Sequence, residues 1–115
     1  MFIMPSDQSP SIYDILQRYW GYQEFRPLQE DIIRSVLEGN DTLGLMPTGG
    51  GKSVTFQVPT LAMQGLALVI TPIISLMKDQ VDNLRAKGIK ATYMHAGLSY
   101  SESRKVIEKC VNGNY

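Results

Sequence analysis

The sequence predicts an α/β fold, a mostly parallel sheet with flanking helices, and two observations carry that reading. Apolar runs of strand length alternate with segments of helical periodicity, and a glycine-rich loop separates one such strand from one such helix. The loop reads Met46-Pro47-Thr48-Gly49-Gly50-Gly51-Lys52-Ser53. A strand, a glycine loop ending in Lys-Ser and a helix in that order form a phosphate-binding unit.

Each element has its own signal. Ser11 and Asp14 have capping-box-like spacing ahead of a helix carrying Ile12, Ile15, Leu16 and Tyr19, and Gly21 is placed to end it. Pro27 suits the first position of a second helix, whose Leu28, Ile32, Val36 and Leu37 share a face until Gly39. Asp41 to Met46 reads as a short buried strand entering the loop, and a helix leaves the loop at Val54. Pro59 is expected to kink or break that helix, which resumes through Leu61 and Met63 before Gly65. Leu66 to Thr71 reads as a second buried strand. Ile74, Met77, Val81 and Leu84 mark one face of a helix ending near Gly88, Lys90 to Met94 is a third strand, and Ser99 to Glu102 caps a last helix running to about Val111.

Composition narrows the function classes. A chain of 115 residues, 43% hydrophobic and 19% charged, has an ordinary globular make-up and the length to bury one core. Eleven Lys and Arg balance eleven Asp and Glu, so any nucleic-acid contact must be local rather than driven by an overall basic field. One cysteine, Cys110, excludes an intramolecular disulfide and fits a reducing compartment. His95 and Cys110 alone cannot build a zinc site. The N-terminus lacks a basic segment followed by an apolar core, and no apolar run approaches membrane-spanning length, so a cytoplasmic protein without a membrane partner is expected.

The loop's chemistry follows from its residue types. Glycines permit a tight curl and a close approach where a Cβ would clash, so consecutive amides at Thr48, Gly49, Gly50 and Gly51 can face one polyanion. Lys52 is the candidate catalytic residue, neutralising the outer phosphates. Ser53 is the candidate Mg²⁺ ligand through its hydroxyl, and the helix that follows aims its positive end at the same anion. Met46 stands where the motif has its first glycine.

A second segment, Tyr19-Trp20-Gly21-Tyr22-Gln23-Glu24-Phe25-Arg26-Pro27-Leu28-Gln29, carries the base-recognition candidates. Arg26 is a poor helix cap in a place where Ser or Asp would stabilise more, so another contact is expected to hold it there. A glutamine amide can pair with adenine N6 and N7, an aromatic ring can stack on the base, and a guanidinium suits stacking or phosphate contact. Tyr22, Arg26 and Gln29 can therefore form an adenine pocket. A third segment, Thr71-Pro72-Ile73-Ile74-Ser75-Leu76-Met77-Lys78-Asp79-Gln80-Val81, puts hydroxyls at a strand end and a helix start, where Thr71 and Ser75, with Lys78 nearby, can meet a DNA phosphate. The same stretch also serves packing, and Lys78 can equally be a solvated charge.

Together these three segments resemble the N-terminal part of RecQ-type DNA helicases, over roughly Tyr13 to Val111. The resemblance implies a RecA-like P-loop NTPase domain, present in part, in which the first glycine of the loop is commonly replaced. It implies ATP and Mg²⁺ as cofactors, single-stranded and partially duplex DNA as partners, and 3′ to 5′ translocation with duplex unwinding. By motif match it assigns Tyr22, Arg26 and Gln29 to adenine recognition, Lys52 and Ser53 to phosphate and magnesium, and the third segment to the single-strand path. The short lead before Tyr22 is similar to that of bacterial members, for which a nucleoid-associated location is expected.

Hydrolysis needs an acidic residue at a strand end to hold Mg²⁺ and help activate water. The predicted strands end instead in Thr71 and at His95, so this chain by itself is expected to lack turnover. By the resemblance, the acidic box, second motor domain and zinc-binding region lie beyond Tyr115. The strands that flank the loop strand come from the same later region, which predicts an exposed edge at Thr42 to Met46 and marginal stability or association. Two other classes use such a loop, a small nucleotide phosphotransferase and a stand-alone adenine-nucleotide-binding module. The first needs a second acidic metal ligand and an arginine-rich lid, and neither is evident. Gln29→Ala is expected to remove about 1–3 kcal/mol of the preference for ATP over GTP, read by competitive nucleotide titration; an intact preference would take Gln29 out of the base site.

Overall fold

The computed structural model describes residues 1–3, 11–47, 49, 51–63 and 65–112. Their contacts separate into two compact units, one comprising Ser6–Gln64 and the other Met1–Pro5 with Gly65–Tyr115.

In the first unit, the Ser11 hydroxyl accepts the Asp14 N–H at 3.2 Å and starts α1 (Ile12–Ile15). The helix continues into a π-helical turn, Leu16–Trp20, which Gly21 closes in the left-handed conformation (φ 76°) while donating its N–H to the Gln17 carbonyl. Ile12, Ile15 and Leu16 are buried, as the periodicity requires, while Tyr19 is half-buried. Helix α2 (Gln29–Leu37) begins two residues later than Pro27 predicts, because Leu28 adopts a left-handed backbone (φ 72°) that a helix cannot contain. Leu28 is consequently exposed, and Ile33 is the fully buried residue of that helix. Gly39 follows its end at φ 86°.

Helix α3 (Val54–Ala62) runs through Pro59 without a break, so of the two expected effects the interruption does not occur. Proline forfeits one N–H bond, to the Thr55 carbonyl. Burial of Val58, Pro59 and Leu61 against α1 and α2 offsets that loss. The helix stops at Met63, whose backbone is extended. Asp41 to Met46 does not form the predicted strand. Among the described residues it has no ladder partner, so its apolar side chains gain no sheet to pack on: Leu43 is 84% and Leu45 77% exposed. The stretch touches α2 at two points: the Thr42 and Ser35 hydroxyls lie 2.9 Å apart, and a Cβ at Gly44 would come within 2.8 Å of Ile32 Cδ1.

The second unit holds the sheet, and it is antiparallel rather than mostly parallel. Strand β1 (Phe2–Ile3) lies between β2 (Ala67–Leu68) and β3 (Ala91–Thr92), opposed to both, with Phe2 facing Leu68 on one side and Thr92 on the other. The N-terminal residue extends the ladder: its ammonium donates to the Val69 carbonyl at 2.9 Å, and its carbonyl accepts the Val69 N–H at 2.7 Å. Because β2 and β3 both oppose β1, they share a direction, which is the part of the expected parallel arrangement that persists. No signal in Met1 to Ile3 foretold a central strand, yet Ile3 is fully buried.

Helix α4 (Ile74–Ala86) buries Met77, Val81 and Leu84 as predicted, whereas Ile74 stays half exposed. It ends in a Schellman motif: Gly88 (φ 82°) donates to the Arg85 carbonyl and Ile89 to that of Leu84, and Ile89 is itself buried. Arg85 Nε reaches forward to the Ala91 carbonyl at 2.8 Å and ties the turn to β3. Helix α5 (Tyr100–Asn112) opens with a reciprocal capping box, Ser99 Oγ accepting the Glu102 N–H and Glu102 Oε2 accepting the Ser99 N–H.

Two outcomes follow. Replacing Leu43 and Leu45 together by Ser is expected to shift stability by less than about 0.5 kcal/mol, as for other solvated positions, while reducing self-association in sedimentation velocity; a collapse in stability would show that this stretch is buried in solution. The Glu30 carboxyl is held below its ordinary range by the Tyr13 hydroxyl and by Arg34. A depressed carboxylate stabilises the fold above its unfolded pKa, and that contribution disappears as pH falls through the folded value. Tyr13→Phe is therefore expected to move the NMR-detected Glu30 titration upward, and an unmoved midpoint would rule out the hydroxyl as the chief cause.

Candidate nucleotide-binding site

Arg26-Pro27-Leu28-Gln29 is a turn, and its geometry answers why an arginine stands where a cap residue belongs. Gln29 closes the turn from its far side: its backbone N–H donates to the Arg26 carbonyl at 3.2 Å, and its side-chain Oε1 accepts the Arg26 N–H at 2.8 Å. The glutamine three residues on thus reaches back to the turn's first amide, ahead of the helix whose N-cap is Leu28. The arginine side chain is thereby released for another contact. Its Nη1 donates to the carbonyl of Gly49, in the glycine loop, at 2.9 Å.

Gln29 touches the same loop. Its Nε2 donates to the Gly51 carbonyl at 3.0 Å, and the side chain is buried with only 4% of its surface exposed. Both ends of the amide are bonded, which is the condition under which a buried carboxamide stabilises rather than costs. Gly51 is shaped for this neighbour: at φ 80° it occupies left-handed space, and a Cβ added there would lie 2.3 Å from Gln29 Nε2. The need for glycine at this position therefore comes from the amide packed against it as well as from backbone conformation.

A cleft of about 340 Å³ opens beside this junction, lined by Trp20, Tyr22, Arg26, Gln29, Gly51 and Val54 among others. Tyr22 is more than half exposed and can swing over a ligand; Trp20 is half-buried with its ring edge-on to Tyr19 at 6.2 Å. Trp20 and the steric role of Gly51 escaped sequence reasoning. The tryptophan stands two residues before Tyr22, so its proximity was a readable signal, whereas the Gly51 contact depends on α2 packing against α3.

Lys52 is exposed and Ser53 half-buried at the entrance to α3. The Lys52 carbonyl accepts the backbone N–H and the hydroxyl of Thr55, which stiffens the first turn behind the lysine. Thr48 and Gly50, the other two candidate phosphate contacts, lie outside the described residues. The geometry thus brings Tyr22, Arg26, Gln29, Gly49 and Gly51 into one neighbourhood, with Lys52 and Ser53 directly following in the chain.

The three DNA candidates belong to the other unit. Ser75 and Lys78 are exposed and three residues apart on α4, hence on one face. Thr71 is half-buried after β2 and lines a groove with Ile70, Ile74 and His95. His95 stacks on Tyr93 with ring planes 9° apart and accepts the Gly97 N–H on Nδ1, which turns back the loop after β3. Within the described residues no helix is long and apolar enough to cross a membrane.

Comparison with known proteins identifies the family. Residues 26–113 match the family described as DEAD/DEAH box helicase. The chain is 48% identical over 100 residues to the ATP-dependent DNA helicase RecQ of Pasteurella multocida, covering 87% of this chain and 16% of that protein. It is 43% identical over 106 residues to the same-named helicase of Haemophilus influenzae, covering 92% and 17%, and 43% identical over 103 residues to ATP-dependent DNA helicase Q1 of Mus musculus, covering 90% and 16%. The chain therefore spans about a sixth of the length of these relatives. With a glycine loop joined through Arg26 and Gln29 to an aromatic-lined cleft, and a family match over most of its length, this chain belongs to the DEAD/DEAH box helicases.

Proposed function

We propose that this chain supplies the ATP-binding part of the first motor domain of a RecQ-type, 3′ to 5′ ATP-dependent DNA helicase. The observation that carries the reading is the pair of hydrogen bonds from the base-recognition segment to the glycine loop, Arg26 to Gly49 and Gln29 to Gly51. Two segments more than twenty residues apart converge on one cleft, as a ligand with a base at one end and phosphates at the other requires. The helicase names of the relatives support the same assignment.

In this reading Tyr22 covers the adenine. Gln29 pairs with its edge through the amide hydrogen and lone pair left over from the loop and turn bonds, since a carboxamide has two of each. The amides of Thr48, Gly49, Gly50 and Gly51 and the Lys52 ammonium hold the phosphates, Lys52 acting on the charge that develops in transfer. The Ser53 hydroxyl is a neutral oxygen donor suited to Mg²⁺, which prefers oxygen ligands and keeps several waters and phosphate oxygens of its own. A magnesium ion held there by Ser53 would supply charge neutralisation for the phosphates. Thr71, Ser75 and Lys78 contact backbone phosphates of single-stranded DNA without reading sequence. A cytoplasmic location, at the nucleoid if the cell is bacterial, fits action on DNA.

The reading is tested by DNA-stimulated ATP hydrolysis, comparing this chain with one extended to the length of its relatives. Activity confined to the longer chain is the expected result; turnover by the short chain would favour a small phosphotransferase. Lys52→Ala in the longer chain is expected to abolish ATP-dependent unwinding, and retained unwinding would remove the loop from the mechanism.

A further inference from the structure

The hydrogen bonds that join the two segments have a consequence for the phosphates themselves. A glycine run has more backbone freedom to lose than any other sequence, so ordering it around an anion is costly. Here two of its carbonyls are already held, Gly49 by the Arg26 guanidinium at 2.9 Å and Gly51 by the Gln29 amide at 3.0 Å. In a planar trans peptide the C=O and the N–H that follows it point in opposite directions. Holding the Gly51 carbonyl toward α2 therefore turns the Lys52 N–H away from α2.

The support behind these bonds is rigid. Gln29 is anchored at its other end to the Arg26 N–H at 2.8 Å and is buried. The turn presenting it contains Leu28 at φ 72°, the one non-glycine residue with positive φ among the described residues, and it is half exposed, so core packing does not account for its conformation. Such strain persists where surrounding contacts over-determine it. The absent Cβ of Gly51 leaves the space in which the Gln29 amide sits.

We infer that Gln29 and Arg26 are positioning residues for the phosphate loop, raising its affinity for a phosphate chain whether or not a base is attached. The inference rests on the nucleotide-site reading above and deepens it. Base recognition by Gln29 alone requires no effect on a ligand that has no base.

The test measures binding of Mg²⁺-tripolyphosphate, MgGTP and MgATP to this chain by calorimetry, together with the ¹⁵N heteronuclear NOE of the Gly49, Gly51 and Lys52 amides without ligand. Gln29→Ala and Arg26→Ala are compared with the parent chain; the second removes an exposed side chain and leaves the core intact. Loss of one such hydrogen bond is expected to weaken tripolyphosphate and GTP alike by up to about tenfold, ATP by more in the Gln29 variant, and to lower the NOE at the loop amides while those of α4 stay unchanged. Unaltered tripolyphosphate affinity in both variants would overturn the inference and leave Gln29 a base reader only. If the parent chain binds none of the three ligands, the nucleotide-site reading fails for this chain. The NOE then decides separately, a fall at the loop supporting the tether and no change overturning it.

Discussion

One buried carboxamide holds the candidate site together. Gln29 sits where three demands meet: the Arg26 turn needs an acceptor, the Gly51 carbonyl needs a donor, and the space between α2 and α3 needs a side chain with no unpaired polar atom. A glutamine meets all three because its amide carries donor and acceptor at one end of a flexible stem. The packing of α2 on α3 and the burial of Ile33 and Val58 set the depth at which that amide lies. Arg26, freed from a capping role, then reaches Gly49. Removing the amide would free the Gly51 carbonyl and leave the Arg26 N–H without its side-chain acceptor.

The sheet depends on a different constraint. A two-residue N-terminal strand lies between two strands of like direction and supplies each with an antiparallel neighbour. Both strands would otherwise present unpaired N–H and C=O groups on that side, an arrangement that invites association. The ladder extends to the first residue, whose amine is buried enough that its pKa falls below the ordinary value. Among the described residues, Asp41 to Met46 has no such neighbour. Leu43 and Leu45 therefore stay in solvent.

Local signals were read well wherever a few adjacent residues carry all the relevant chemistry. The Ser11 and Ser99 caps, the stops at Gly21 and Gly88, and the Met77, Val81, Leu84 face are all short-range consequences of side chain and backbone, and each stands as its residues imply. Readings that needed a distant partner fared worse. Proline's usual effect at Pro59 is outweighed by burial, Pro27 does not begin α2 because Leu28 turns left-handed, and the sheet took an antiparallel form from a strand that no pattern announced.

The sequence by itself determined the glycine loop ending in Lys52-Ser53 as a candidate phosphate site and the helices around it, because glycine freedom, lysine charge and helical periodicity act over a few residues. The family match over residues 26–113 agrees with the resemblance that those segments carry. Only the tertiary structure decided what Gln29, Arg26 and Gly51 do for one another. Their contacts join residues more than twenty positions apart, and a hydrogen bond of about 3 Å across that separation exists only once packing has set the two segments side by side.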